Sequence, residues 1–223
     1  MSIIEPVRKE IEHPQLNNKK SAALRLWHWG SAIVISGSLI TVLINSTITN
    51  GRATMQLMKS ELQKSGVTLS DRQASSAAHA LSDQVWDVHT YFGYCLAALF
   101  LFRLILEFFQ LADQKFIRQM KVAYAHFKTI KRNREKALHE LTVKIIYSGF
   151  YFLLLIMVLT GLFLAFEDEM KPFKSIRHSV KSLHGFCMYL ILAFIIVHLV
   201  GVFLAERLKD GKGIVSDMIN GAK

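Results

Sequence analysis

The sequence predicts an all-α integral membrane protein, a bundle of four transmembrane helices with its N-terminus and C-terminus both cytoplasmic. Three observations predict it. Four apolar stretches of bilayer length punctuate the 223 residues, and 52% of the chain is hydrophobic. The segments between them are basic, so a chain of positive mean hydropathy still carries a net charge of +10. The last apolar stretch, Ser182 to Glu206, holds two histidines, His184 and His198, and ionisable groups inside a membrane are costly enough to mark functional sites.

The elements follow in order. Residues 1–23 form a polar tail with Pro6 and Pro14 and no signal-peptide cleavage pattern. The first span covers about 24–48 and opens with Arg25-Leu26-Trp27-His28-Trp29-Gly30, its tryptophans suited to the headgroup zone. Between Asn50 and Gln84, Arg52 to Lys64 and Asp71 to Ser82 read as two short helices, with Ser82-Asp83 as a break before the second span. That span covers about 85–109, with His89 near its start and Arg103 towards its end. In the basic stretch from Leu111 to Glu140, Phe116, Ile117, Met120, Tyr124 and Phe127 recur at helical spacing, which predicts an amphipathic helix on the membrane surface, with a cytosolic docking helix as the rival reading. The third span, about 141–166, contains no histidine. After a short loop with Pro172 comes the fourth span, about 182–206, and then a short polar end over 207–223. The membrane domain is thus 24–206.

The charge distribution sets the orientation. Seventeen Lys and Arg residues fall in the N-terminal tail, the loop after span two and the C-terminal end, against eight in the other two loops. The richer side is cytoplasmic. Nucleic acid is not a predicted partner, because the basic residues lie between apolar runs rather than on one soluble face; the lipid bilayer is. Cys95 and Cys187 both sit in apolar runs, so neither a disulfide framework, an iron–sulfur cluster nor covalent haem attachment is predicted.

With that orientation the histidines sort by depth. His28 in span one and His198 in span four lie towards the cytoplasmic face; His89 in span two and His184 in span four lie towards the outer face. Fourteen residues separate His184 from His198, which places their side chains roughly 40° apart on one helix face and about 21 Å apart along the axis. One helix offering a ligand to each half of a bilayer roughly 30 Å thick is what two stacked haems require, each with axial nitrogens from facing helices. Gly30, Gly37, Gly93, Gly185 and Gly201 stand near these histidines and offer room, as they would for ordinary helix packing. Arg25 precedes His28 by three residues and Lys181 precedes His184 by three; with Arg103 they are the candidate cationic partners of propionates, or headgroup anchors. His13, His79, His126, His139 and His178 read as surface histidines, with His139 and His178 as reserve ligands.

The Arg-x-Trp-His-Trp opening at Arg25, the His89 and Gly93 pair, and the two histidines of span four resemble the bacterial cytochrome b561 and nickel–iron hydrogenase b-type cytochrome group. The plan is also similar to the cytochrome b subunits of formate dehydrogenase and thiosulfate reductase. Ser36-Gly37 stands where the group often has Thr-Gly, and the loop from Asn50 to Gln84 is longer than in its smallest members. The resemblance implies two non-covalent haem b groups, His28 with His198 ligating the cytoplasmic-side haem and His89 with His184 the outer one. It also implies quinone as substrate and a periplasmic or membrane redox partner such as a hydrogenase, a dehydrogenase or a cytochrome c. The chain would then be the electron-transfer subunit of an oxidoreductase in the bacterial inner membrane. One alternative is a stand-alone quinone-linked oxidoreductase of the superoxide oxidase or ferric reductase type. The other is a haem-free transporter, which the near absence of intramembrane carboxylates disfavours.

Overall fold

The computed structural model describes residues 21–109, 116–129, 134–207 and 213–221, apart from the side chains of 126, 136, 140 and 214. Nearly all of the tail expected over 1–23 lies outside the described residues, as do Lys115, Lys131, Arg132, Lys209, Lys212 and Lys223 of the basic segments. Within them the chain is helical and no strand occurs. The helices are α1 (Ala22–Thr47), α2 (Gly51–Lys64), α3 (Asp71–Phe109), α4 (Phe116–Thr129), α5 (Arg134–Ala165), α6 (Arg177–Arg207) and α7 (Ile214–Asn220), with a 3-10 turn over Lys171–Ile176 leading into α6. α1, α3, α5 and α6 carry stretches long and apolar enough to cross a membrane.

The helix ends follow from local chemistry. Ser21 Oγ caps α1 by accepting from Leu24 N at 3.2 Å. α2 stops at Gly66, whose φ of +78° a side chain would resist, and there the Gly66 and Val67 amides return to the Gln63 and Leu62 carbonyls. A capping box starts α3: Ser70 Oγ accepts from Gln73 N, and Gln73 Oε1 accepts from Ser70 N.

The break expected at Ser82-Asp83 does not form, and the short helix read over Asp71 to Ser82 is the first part of α3. Ser82 serves sideways instead. Its Oγ donates to Asn45 Oδ1 at 3.0 Å and its carbonyl accepts from Asn45 Nδ2 at 3.4 Å, which ties α3 to the end of α1. A helix of 39 residues is about 58 Å long, so α3 projects well beyond the bilayer. α2 packs on the projecting part, where Ala74 and Ala78 are fully covered. The Lys59–Asp71 ion pair fastens that contact.

α1 packs along α3, α3 against α5, and α5 against α6. Trp27, Ile35, Phe100, Leu154 and Ile191 form the buried centre of this bundle, while Phe108 and Phe109 point outwards at 79% and 85% exposure, as lipid-facing residues do. Between helices in lipid, close packing and hydrogen bonds replace the hydrophobic drive. Gly37 shows the closeness required: a Cβ there would stand 2.5 Å from the Phe92 ring, so this glycine accommodates a phenyl group on α3.

α4 is the amphipathic helix expected between spans two and three, and it packs on α5. The polar end expected after span four contains α7, which the sequence reading missed. α7 folds back onto α1. Trp29 Nε1 donates to Met218 O at 2.9 Å, the Arg25 guanidinium lies against Gly221, and Glu206 accepts from Gly213 N at 2.8 Å to start the return.

Candidate cofactor sites between the helices

The four intramembrane histidines meet in two pairs. On one side the His28 ring of α1 faces the His198 ring of α6, with centroids 6.2 Å apart. On the other, the His89 ring of α3 faces the His184 ring of α6, with centroids 6.4 Å apart. His139 and His178 are exposed and belong to neither pair. α6 does not pack closely against α1 or α3. The two imidazole pairs span that interval, with Ile191 in the buried cluster between them.

These separations can be tested against bis-histidine ligation. A metal–imidazole bond of about 2.0 Å plus a ring radius of about 1.15 Å, taken on both sides of a shared metal, puts the two centroids about 6.3 Å apart. Both pairs match that value. The space beside them fits as well. Gly93 and Gly201 stand one turn from His89 and His198, and a Cβ added at either would meet no protein atom within 4 Å. Gly161 clears the ring of His184, which a Cβ would approach to 3.3 Å. Among the described residues no three of His, Cys, Asp and Glu converge into a metal cluster. A porphyrin supplies its own four equatorial nitrogens and asks the protein for the axial ones alone.

The two pairs are held differently. His89 Nδ1 lies 3.0 Å from Thr41 Oγ1, 3.3 Å from Ser38 Oγ and 3.3 Å from the Ser38 carbonyl. His184 Nδ1 lies 2.8 Å from Thr160 Oγ1. Thr41 and Thr160 are both buried. His28 and His198 have rings around them: Trp29 stands edge-on to His28, as Trp86 does to His89, Phe194 stacks on His198 with an interplanar angle of 7°, and Tyr147 stands 6.4 Å from His198. His28 Nδ1 is buried with no hydrogen-bond partner among the described residues.

The cationic candidates diverge. Arg25 Nη1 is likewise buried and unpartnered, three residues from His28. Lys181 is exposed beyond His184. Arg103 is buried and already engaged: Nη1 pairs with Glu107 Oε2 at 3.1 Å, Nε donates to the Tyr151 hydroxyl at 3.1 Å, and the guanidinium lies over the Trp27 and Tyr151 rings. Glu107 also accepts from Ile117 N at 3.3 Å, so this ion pair ties the inner half of α3 to the start of α4.

A family model described as prokaryotic cytochrome b561 matches residues 20–221, a range that includes all four paired histidines. The chain belongs to that family. It is therefore a b-type membrane cytochrome that works in electron transfer, a multi-pass protein of the bacterial membrane with haem b as its cofactor. No curated protein and no solved structure matches the chain. In this cytochrome the sequence motifs pointed to the four histidines but not to the hydroxyls of Thr41 and Thr160. Those became visible once the helices were paired.

Proposed function

We propose that this cytochrome carries electrons across the membrane between a redox partner and the quinone pool, through two haem b groups. His28 and His198 hold one near the cytoplasmic face, and His89 and His184 hold the other near the outer face. The observation that carries this reading is the pairing of imidazoles at 6.2 and 6.4 Å, which two-sided axial ligation requires and ordinary packing does not. When bound, haem supplies one-electron chemistry. The protein's part is to fill both axial positions, which favours simple electron transfer over oxygen activation, and to fix the spacing of the two sites. Arg25, with a buried unpartnered guanidinium nitrogen, is the propionate partner at the inner site. Lys181 serves the outer site from the membrane surface. Arg103 contributes by holding the scaffold through Glu107 and Tyr151.

Quinone is assigned to the cytoplasmic end, near His198 and the segment after α3. The projecting α2 and the first part of α3 form the surface for a periplasmic or membrane donor such as a hydrogenase, a dehydrogenase or a cytochrome c. Both termini are placed in the cytoplasm by the excess of Lys and Arg on that side.

The test is a dithionite-reduced minus oxidised spectrum of the detergent-purified protein, with haem quantified per chain. Two non-covalent haems are expected, one lost in His28→Ala and the other in His89→Ala. A single haem, or one that survives both substitutions, overturns the assignment. Quinone reduction by the purified chain with superoxide or a small soluble donor would favour a stand-alone enzyme over a docking subunit.

A further inference from the structure

We infer that Thr41 and Thr160 are positioning residues for the outer site, which fix the tautomer of both its histidines and lower its reduction potential relative to the inner site. This rests on the two-haem reading above. The inference starts from hydrogen-bond accounting. A threonine hydroxyl has one proton. Thr41 donates it to the Ser38 carbonyl at 2.6 Å, and Thr160 donates its own to the Ile156 carbonyl at 2.6 Å. Each oxygen is left to accept, and what it accepts from is the Nδ1–H of His89 or His184. For His89 the Ser38 carbonyl gives a second proof, because an acceptor 3.3 Å from Nδ1 calls for a proton on that nitrogen. Both rings therefore carry the proton on Nδ1 and keep the lone pair on Nε2.

The electronic consequence follows. A ligating imidazole that donates its other N–H becomes a more basic, more electron-rich ligand, and such a ligand favours the oxidised over the reduced metal, which is one of the levers on haem potential. The outer site has this polarising contact on both axial ligands. At the inner site His28 Nδ1 has no such partner among the described residues, and His198 rests on the face of Phe194. The hydroxyls thus separate two sites that share the same ligand chemistry.

The test is a spectroscopic redox titration of the purified haem-loaded protein and of Thr160→Val and Thr41→Val, which keep the β-branched shape and remove the hydroxyl. His28→Ala and His89→Ala supply the reference spectra that assign each transition. The expected result is two haems retained, a rise in the potential of the outer one, an inner one unchanged, and return to the parent value in Thr160→Ser. Loss of the N–H contact should also speed release of the outer haem to an apo-globin acceptor by about 10- to 100-fold. Two haems with unmoved potentials, or a Thr160→Ser variant that shifts as far as Thr160→Val, would overturn the inference and leave the ligand assignment intact. A parent protein lacking the haem lost in His89→Ala would overturn both. If Thr160→Val fails to accumulate, Thr160→Ala, which also removes the hydroxyl, decides by the same readout, whereas Ser38 still accepts from His89 in Thr41→Val and its shift should be the smaller.

Discussion

The two histidine pairs use the same side chains at nearly the same separation, and each has a tryptophan edge-on to one ring, Trp86 at His89 and Trp29 at His28, yet they differ in what else holds them. Around His89 and His184 the support is polar, directional and carried by buried hydroxyls on α1 and α5. Around His28 and His198 it is aromatic, with Trp29, Phe194 and Tyr147 against the rings. Hydrogen bonds fix a tautomer and a rotation; ring contacts fix a plane and leave the second nitrogen unpolarised. One helix, α6, contributes a ligand to both sites and also the Phe194 ring beside His198; the rest of the difference arises from what α1 and α5 present to it.

The comparison breaks most sharply at the ligands themselves. His184→Ala should remove the outer haem alone and His198→Ala the inner alone, so haem per chain falls from two to one in each, read by quantitative absorbance. Next in size is the scaffold. Glu107→Gln leaves the Arg103 guanidinium buried without its counter-charge and only one oxygen to accept from both Arg103 and Ile117 N, so stability should fall by about 3 kcal/mol. Chemical denaturation in detergent measures it, and Arg103→Met with Glu107→Gln together should recover part of the loss. A smaller effect is expected at Phe194. Replacing it by alanine removes the ring stacked on His198, a contact class worth about 0.5–1.5 kcal/mol, so the inner haem should dissociate about two- to tenfold faster while the outer is unaffected.

The smallest effect lies outside both sites. The Lys59 ammonium hydrogen-bonds the Asp71 carboxylate and holds its carboxyl below the usual aspartate value. A depressed carboxyl stabilises the α2–α3 contact above the unfolded value of about 3.9 and loses that contribution as the pH falls through its own lower midpoint. An NMR titration of Asp71 should show the low midpoint, and Lys59→Gln should restore the ordinary one with haem content unchanged at both sites.

Much of this architecture was legible in the sequence, for reasons that differ by element. The four spans follow from apolar length, and sorting the histidines by their place along each span predicts which of them meet. The fourteen-residue interval between His184 and His198 then predicts a shared face. What one sequence conceals is lateral. Ser82 reads as a helix break because its side chain competes with its own backbone, yet here it bonds Asn45 on α1 and the helix runs on. Thr41 and Thr160 read as two polar residues in apolar runs until α3 and α6 bring Nδ1 atoms to them. α7 is bracketed by Gly213 and Gly221, both at positive φ, a signal that the seven polar and apolar residues between them are too few to amplify.

That last helix has a consequence for synthesis. A chain emerges from the ribosome N-terminus first, and α7, which lies against Trp29 and Arg25, is made after all four long apolar helices. Both members of the His89–His184 pair have emerged once His184 has; the His28–His198 pair waits for His198, and the start of α1 stays uncovered until Gly221. The two pairs are thus separated in time as well as in position, and the one beside α7 is completed second.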